Sequence, residues 1–209
     1  MAPSRILVTG AAGFIGSFVC KRLLELGTAS VVGFDNLNDY YSVPLKRERL
    51  AFLEQHPRKE HFNFVHADLC DADTLERVFT EYDPEVVIHL AAQPGVRYSI
   101  ENPRTYIQSN IDAFFNVLEA CRSHDVSHLV YASSSSVYGD TTHAPFSEQA
   151  ACDQPVSLYA ATKRADELLA HAYAAVYGLA CTGLRFFTVY GPYGRPDMAY
   201  FSFAERMVS

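Results

Sequence analysis

Tyr159 and Lys163 stand four residues apart in "SLYAATKRADE", a spacing that puts both on one face of a helix. A phenol titrates near 10 in water, so a tyrosine serves as a base at neutral pH only where positive charge favours its phenolate. An ammonium one turn away supplies such charge, and the pair can then take a proton from a hydroxyl. Upstream, "YASSSSVYG" sets four hydroxyls, Ser133 to Ser136, between an apolar run and a glycine. A serine run ordinarily marks a solvated loop, and that reading competes here. Because these serines close what reads as a buried strand, a second reading is that they hydrogen-bond a ligand. Serine is too weak an acid and base to move protons as a paired aspartate and glutamate would.

A third group of residues suits a pyrophosphate. "VTGAAGFIG" places Gly10, Gly13 and Gly16 at a strand-to-helix turn. Glycine there lets the chain turn tightly and lets backbone N–H groups approach an anion at the positive helix end. The spacing is GxxGxxG, not GxGxxG, and three glycines alone would suit any tight turn. Asp35 strengthens the reading, since it closes a second strand 19 residues beyond Gly16. A carboxylate at that place accepts both ribose hydroxyls of NAD and opposes the 2′-phosphate of NADP. No basic residue in "DNLNDYY" offsets that charge; the competing reading of Asp35 is a strand-end cap. Asp68 either binds an adenine amino group or caps the next helix. "HLAA" ends another strand on small residues, where backbone passes close to a ligand. His89 within it has no metal-ligating partners at useful spacing and reads as a core residue, so no metal site is expected.

The elements that must position these residues alternate along the chain. Strands are expected at "RILVTG", "SVVGFD", "FNFVHAD", "EVVIHLAA", "HLVYASS" and "LACTGLRF". Helical spacing runs from Phe14 to Leu26, with Gly27 as its C-terminal cap, and then over Leu45–His56, Thr74–Tyr82, Pro103–Ser123 and Tyr159–Tyr177. That alternation predicts an α/β fold, a doubly wound parallel sheet with helices on both faces. A dinucleotide-binding domain is expected over 1–183, with 184–209 beginning a smaller substrate lobe. The helices around Tyr106–Leu118 and Leu168–Tyr177 are apolar on more than one side. A thick core explains this, and so does a homodimer with these helices in its interface.

The 209 residues suffice for one substantial domain, and 49% hydrophobic with 20% charged residues is ordinary globular composition. A net charge of −7 argues against nucleic-acid and anionic-membrane partners. The five cysteines are scattered without a CxxC pair and read as reduced core thiols. No stretch reaches the length of a membrane span, and the first strand starts almost at once, so no signal peptide and a cytoplasmic location are expected.

The glycine turn, the serine cluster and the Tyr159–Lys163 pair together resemble the short-chain dehydrogenase/reductase superfamily, in its extended, nucleotide-sugar branch. "DNLNDYY", "HLAAQPGVRYS", "YASSSSVYG" and "LRFFTVYGPYGRPDMA" narrow the likeness to UDP-glucuronate 4-epimerases over essentially the whole chain. The resemblance implies NAD contacts from Gly10, Phe14, Ile15, Asp35, Asp68, Leu90 and Lys163. Gly13, Gly16, Asn36, Leu69, Ala91, Ala92 and Tyr159 complete the expected cofactor site. It makes Tyr159 the base and Ser134 its helper, and it sets Ser135, Ser136, Thr188 and Arg195 against the sugar carboxylate. The implied reaction moves hydride from C4 of UDP-glucuronate to NAD and back to the other face, giving UDP-galacturonate. Sugar 4,6-dehydratases carry an Asp–Glu pair at the positions of Ser135 and Ser136, and the related decarboxylases carry a Glu just before "VYG". Serines there permit epimerisation and disfavour both alternatives. Members of that family are longer, so the chain is expected to be a fragment or a natural short form. The rival expectations are a UDP-glucose/galactose 4-epimerase and a catalytically silent NAD-binding module.

Overall fold

The six β-branched runs pair as one parallel sheet in a computed structural model that describes residues 4–140 and 145–208, the Glu205 side chain excepted. The first three residues of the expected dinucleotide domain and Ser209 of the expected lobe lie outside the described residues. In chain order the elements are β1 (Ser4–Thr9), α1 (Phe14–Leu26), β2 (Ala29–Asp35), α2 (Val43–Glu54), β3 (Phe62–His66), α3 (Ala72–Tyr82) and β4 (Val86–His89). There follow α4 (Tyr98–Glu101), α5 (Pro103–Tyr106), a π-helical segment (Ile107–Asp112), α6 (Ala113–Ser123), β5 (His128–Ser134) and a 3₁₀ turn (Ser135–Tyr138). The chain closes with α7 (Leu158–Tyr177), β6 (Cys181–Phe186) and α8 (Ala199–Val208).

The strand order is β3-β2-β1-β4-β5-β6. Its direction of winding reverses between β1 and β4, and the crevice outside the strand ends at such a reversal is where doubly wound sheets take ligands. Successive strand residues face opposite sides, so Leu7 and Val8 of β1 seed two separate cores. Leu7 joins Phe34, Val87 and Leu129 under α3, α6 and α7, where Phe79, Phe114 and Tyr173 close the layer. Val8 joins Val31 under α1 and α2, against Cys20, Leu24, Leu50 and Leu53.

Local chemistry sets the helix ends. Gly27, at φ 68°, donates its N–H to Leu23 and Leu24 and stops α1. Ser42 caps α2 by accepting from the Leu45 N–H, and Pro44 sits in the first turn, so this helix starts two residues earlier than its apolar spacing suggests. Asp71 caps α3 through the Thr74 N–H, which leaves Asp68 free of the capping role.

The π segment, α8 and the exposure of Cys70 depart from the sequence expectations. The helix expected over Pro103–Ser123 is divided by the π segment, within which the buried Asn110 amide bonds the Gln93 backbone and the Thr162 hydroxyl. Gly183 lies within β6, whose pairing with β5 continues as far as Ser134 with Phe186. α8, over "AYFSFAERMV", had no counterpart in the sequence expectations. Of the cysteines, Cys20, Cys121 and Cys152 are buried, Cys181 is half-buried, and Cys70 is exposed rather than in the core.

Candidate active site

The turn after β1 is built by close backbone approach. Gly10, at φ 71°, donates to the Phe34 carbonyl at 2.8 Å, and the Gly13 N–H donates to the Gly10 carbonyl at 2.9 Å. A Cβ on Gly10 would lie 2.8 Å from the Ala91 nitrogen, and one on Gly16 would lie 2.1 Å from the Gly10 oxygen. Both places admit only glycine, and the turn they form leaves the start of α1 open toward the cleft.

Asp35 closes β2 beside that turn. Its carboxylate accepts from the Ala12 N–H at 3.1 Å and the Leu37 N–H at 2.8 Å, one bond to each oxygen, which leaves acceptor capacity on both. Burial raises its pKa, opposed by the two N–H bonds and by the charges of Lys46 and Arg49. The absence of a compensating cation, read from "DNLNDYY", therefore does not hold. α2 returns Lys46 and Arg49 to the neighbourhood of Asp35 from 11 and 14 residues downstream. Lys46 borders the cleft, and its ammonium donates to the Asn38 side-chain oxygen at 2.8 Å and also to the Asn38 carbonyl. Arg49 is fully buried; it donates to Ala12 O of the glycine turn at 3.0 Å, to the Tyr41 hydroxyl at 2.6 Å and to Tyr193 O at 2.7 Å. Asp68 is held by the Asn36 amide at 2.8 Å and the Cys70 N–H at 2.9 Å.

The serines at the end of β5 divide. The Ser133 hydroxyl, at the border of the cleft, donates to Glu167 at 2.6 Å. Glu167 also takes both arms of Arg185, each at 2.9 Å, and Arg164 at 2.8 Å. Ser134 turns the other way, accepting from the Ser136 N–H and opening the 3₁₀ turn that carries Ser135 and Ser136.

α7 starts at Leu158, capped by Ser157, so Tyr159 and Lys163 lie in its first two turns. The Tyr159 ring meets Tyr106 edge to face, 6.1 Å between centroids. Lys163 is buried, donating to Ala132 O at 3.1 Å and to Asp166 at 3.0 Å. Asp166 is equally buried, and its second carboxylate oxygen has no hydrogen-bond partner among the described residues. Burial pushes its carboxyl up to about 6, against the pull of Lys163. His89 bonds the Thr9 hydroxyl at 2.8 Å, and burial together with Lys163 drives its pKa down to about 3. It is therefore neutral at physiological pH.

Arg195 reaches the same cleft from beyond β6. Burial works against its charge, yet the Asp197 carboxylate holds its pKa up, with bonds of 3.0 Å to Nε and 2.6 Å to Nη2.

All the residues marked from sequence border one cleft of about 460 Å³: the glycines, Phe14, Ile15, Asp35, Asn36, Asp68, Leu69, Leu90 to Ala92, Ser134 to Ser136, Tyr159, Lys163, Thr188 and Arg195. Lys46, Tyr40, Gln93 and Phe187 border it too and were not singled out. The Lys–Arg spacing in "PLKRERL" was a usable signal; nothing local marked the others.

The profile of the NAD dependent epimerase/dehydratase family matches residues 6–209. The chain belongs to the NAD-dependent epimerase/dehydratase family. The chain is 56% identical over 205 residues to Protein CapI of Staphylococcus aureus, covering 98% of this chain and 60% of that protein. It is 53% identical to UDP-glucuronate 4-epimerase 4 of Arabidopsis thaliana, covering 96% of this chain and 45% of that protein. Its structure is similar to a crystal structure of UDP-glucuronic acid 4-epimerase from Bacillus cereus in complex with UDP-glucuronic acid and NAD, with a TM-score of 0.90 and 38% identity. That match covers 98% of this chain and 63% of the other. The chain thus spans about half to three-fifths of the length of these family members.

Proposed function

We propose that the protein is an NAD-dependent nucleotide-sugar 4-epimerase acting on UDP-glucuronate. The observation that carries this reading is the convergence of Tyr159 and Lys163, Ser134 to Ser136 and Arg195 on the cleft that opens from the glycine turn. The residues present fit NAD. Any Cβ at Gly10 or Gly16 would close the cradle on backbone, and Asp35 keeps free acceptor capacity for ribose hydroxyls. Asn36, Asp68 and Leu69, which line the cleft near Asp35, would meet the adenine, and Leu90 to Ala92 line it beside the glycine turn. Lys163 keeps a third N–H beyond its two bonds, available to a nicotinamide ribose.

When bound, NAD supplies the hydride acceptor and donor for the sugar's C4. Tyr159 takes the proton from the C4 hydroxyl and later returns it, with the buried Lys163 ammonium adding positive charge on the same helical face. Ser134, fixed by the Ser136 N–H, shares the hydrogen bond to that oxygen. Ser135, Ser136, Thr188 and Arg195 hold the sugar carboxylate. A 4-keto hexuronate is a β-keto acid, so holding its carboxylate near the ketone plane opposes loss of CO₂. A neutral hexose would offer no carboxylate to the N–H groups of Arg195 that Asp197 does not take, which favours the acid over UDP-glucose. The strand-and-helix domain binds the cofactor, and the segment beyond β6 begins the substrate lobe.

A homodimer through α6 and α7 accounts for the apolar side chains they leave exposed, Phe115, Leu168, Val176 and Tyr177. Among the described residues no helix is long and apolar enough to cross a membrane. A cytoplasmic location accords with five free thiols. The test is incubation with UDP-glucuronate and NAD, followed by NMR for UDP-galacturonate. Conversion of UDP-glucose with none of UDP-glucuronate would overturn the acid assignment, and conversion of neither would overturn the epimerase reading.

A further inference from the structure

Arg195 is the only cation bordering the cleft, among the described residues, that approaches it from beyond β6; Lys46 belongs to the Asp35 end and Lys163 is committed to α7. A free guanidinium on a loop can swing through many rotamers, and a fork must be aimed before it can grip a carboxylate with two bonds. Here the aim is set by a residue that nothing else in the site uses. Asp197 takes Nε at 3.0 Å and Nη2 at 2.6 Å, a bidentate grip that fixes the guanidinium plane. The Asp197 carboxylate is itself pinned: Oδ2 accepts from the Tyr40 hydroxyl at 3.2 Å. Tyr40 lies on the loop after β2, 157 residues from Asp197, with its ring packed on Tyr98 at 4.8 Å. Burial and the neighbouring Asp197 push the Tyr40 phenol up to about 12, so it stays a donor. Burial raises the Asp197 pKa, but Arg195 and Tyr40 hold it below the usual carboxylate value, so it stays an anion.

We propose that Asp197, braced by Tyr40, is the positioning residue that selects an acidic sugar, by presenting the unused edge of Arg195 to the substrate carboxylate. This rests on the UDP-glucuronate reading above. The two bonds to Asp197 consume Nε and one N–H of Nη2, which leaves the Nη1 side and the second Nη2 proton for a ligand. The pair is also neutral as a unit. It binds an added anion through directed N–H groups and not as a bare buried cation, which would favour any anion in any pose. Because Tyr40 stands on the loop that follows Asp35, the aim of the sugar-binding arginine depends on the order of the cofactor-side loop.

The experiment is calorimetric titration of wild type, Asp197→Asn, Asp197→Glu and Tyr40→Phe with UDP-glucuronate and with UDP-glucose, each in saturating NAD. Asn offers one acceptor to two donors and turns an amide N–H toward the guanidinium, so the fork is lost. UDP-glucuronate should then bind about ten- to a hundredfold more weakly, the worth of one hydrogen bond to a charged group, while UDP-glucose changes by less than about threefold. Asp197→Glu, which restores a two-oxygen acceptor, should recover part of the preference. Tyr40→Phe, which leaves the ion pair but removes its brace, should cost UDP-glucuronate roughly threefold to tenfold, less than a lost charged hydrogen bond because no ligand contact is removed, and carries the test if Asp197→Asn fails to fold. Equal weakening of both ligands would mark a merely structural residue and overturn the proposal. Tighter binding of UDP-glucuronate by Asp197→Asn would make Asp197 a competitor for Arg195 and overturn it as well. A wild type without preference for the acid would sink the substrate reading and this inference together; a preference that survives in every variant would sink this inference alone.

Discussion

Gly16→Ala is the sharpest probe of the dinucleotide turn, because its effect follows from geometry alone. The residue lies in α1 with ordinary helical backbone, so alanine brings no dihedral strain. Its methyl, however, would sit 2.1 Å from the Gly10 oxygen and 2.8 Å from the Gly10 carbonyl carbon, both backbone atoms. Restoring an ordinary contact needs a retreat of roughly 1 Å between helix and turn, the kind of overpacking that costs about 1–3 kcal/mol of stability. The same retreat draws the helix N-terminus away from a pyrophosphate. Losing one charged hydrogen bond there weakens NAD about ten- to a hundredfold. The assay is thermal unfolding with and without NAD at a concentration about a hundred times the wild-type Kd. Wild type then gains about 2.7 kcal/mol, and a variant a hundredfold weaker gains about 0.4 kcal/mol. For a domain of this size those energies correspond to upward shifts of about 5–11 °C and about 1–2 °C. Gly178→Ala is the control: no atom lies within 4 Å of its Cβ, but φ is 74°, so it should lower Tm by strain and leave the NAD-induced shift intact. A wild-type NAD shift in Gly16→Ala would refute the placement of the pyrophosphate at this turn.

Tyr159→Phe keeps the ring that packs on Tyr106 and should fold and bind NAD as wild type does, while epimerisation followed by NMR falls by about two to four orders of magnitude. Near wild-type turnover would place the base elsewhere. Asp35→Asn leaves Lys46 and Arg49 without their anion, so the preference for NAD over NADP, measured by calorimetry, should narrow by about ten- to a hundredfold; an unchanged ratio would mean that Asp35 does not face the ribose. Glu167→Gln leaves Arg185 and Arg164 facing an amide and should cost about 3 kcal/mol in urea unfolding at pH 7. Although burial raises the Glu167 pKa, Arg185, Ser133 and Arg164 bring it below 4.5, so this advantage is full above pH 4.5 and is lost as pH falls through the folded-state value. A gap between Glu and Gln that stays constant with pH down to acid would contradict the charged network.

The order of elements was legible because it is written in local periodicity. Two-residue alternation or short apolar runs bounded by glycine make strands, and apolar spacing closed by Gly27 or Gly178 makes helices. Boundaries moved by one to a few residues wherever a cap decided them, as with Ser42 and Asp71, since one side-chain bond to a backbone N–H outweighs the periodic signal. The π segment was not legible, and the bonds that Asn110 makes from within it reach Gln93 and Thr162, partners 17 and 52 residues away.

The sequence by itself determined that a tyrosine and a lysine share a helical face, that glycines form the turn from the first strand into its helix, and that an acid ends the second strand. Each of those statements concerns residues within a few turns of one another, where covalent geometry leaves little choice. Tertiary structure alone decided which charges meet. It folded α2 back so that Lys46 and Arg49 stand beside Asp35, tied the Ser133 hydroxyl to Glu167 and Ser134 to the Ser136 N–H, and braced Asp197 with Tyr40. An electrostatic partner is chosen by distance in space. Distance in space across a parallel sheet is set by strand order and packing, which no local pattern encodes.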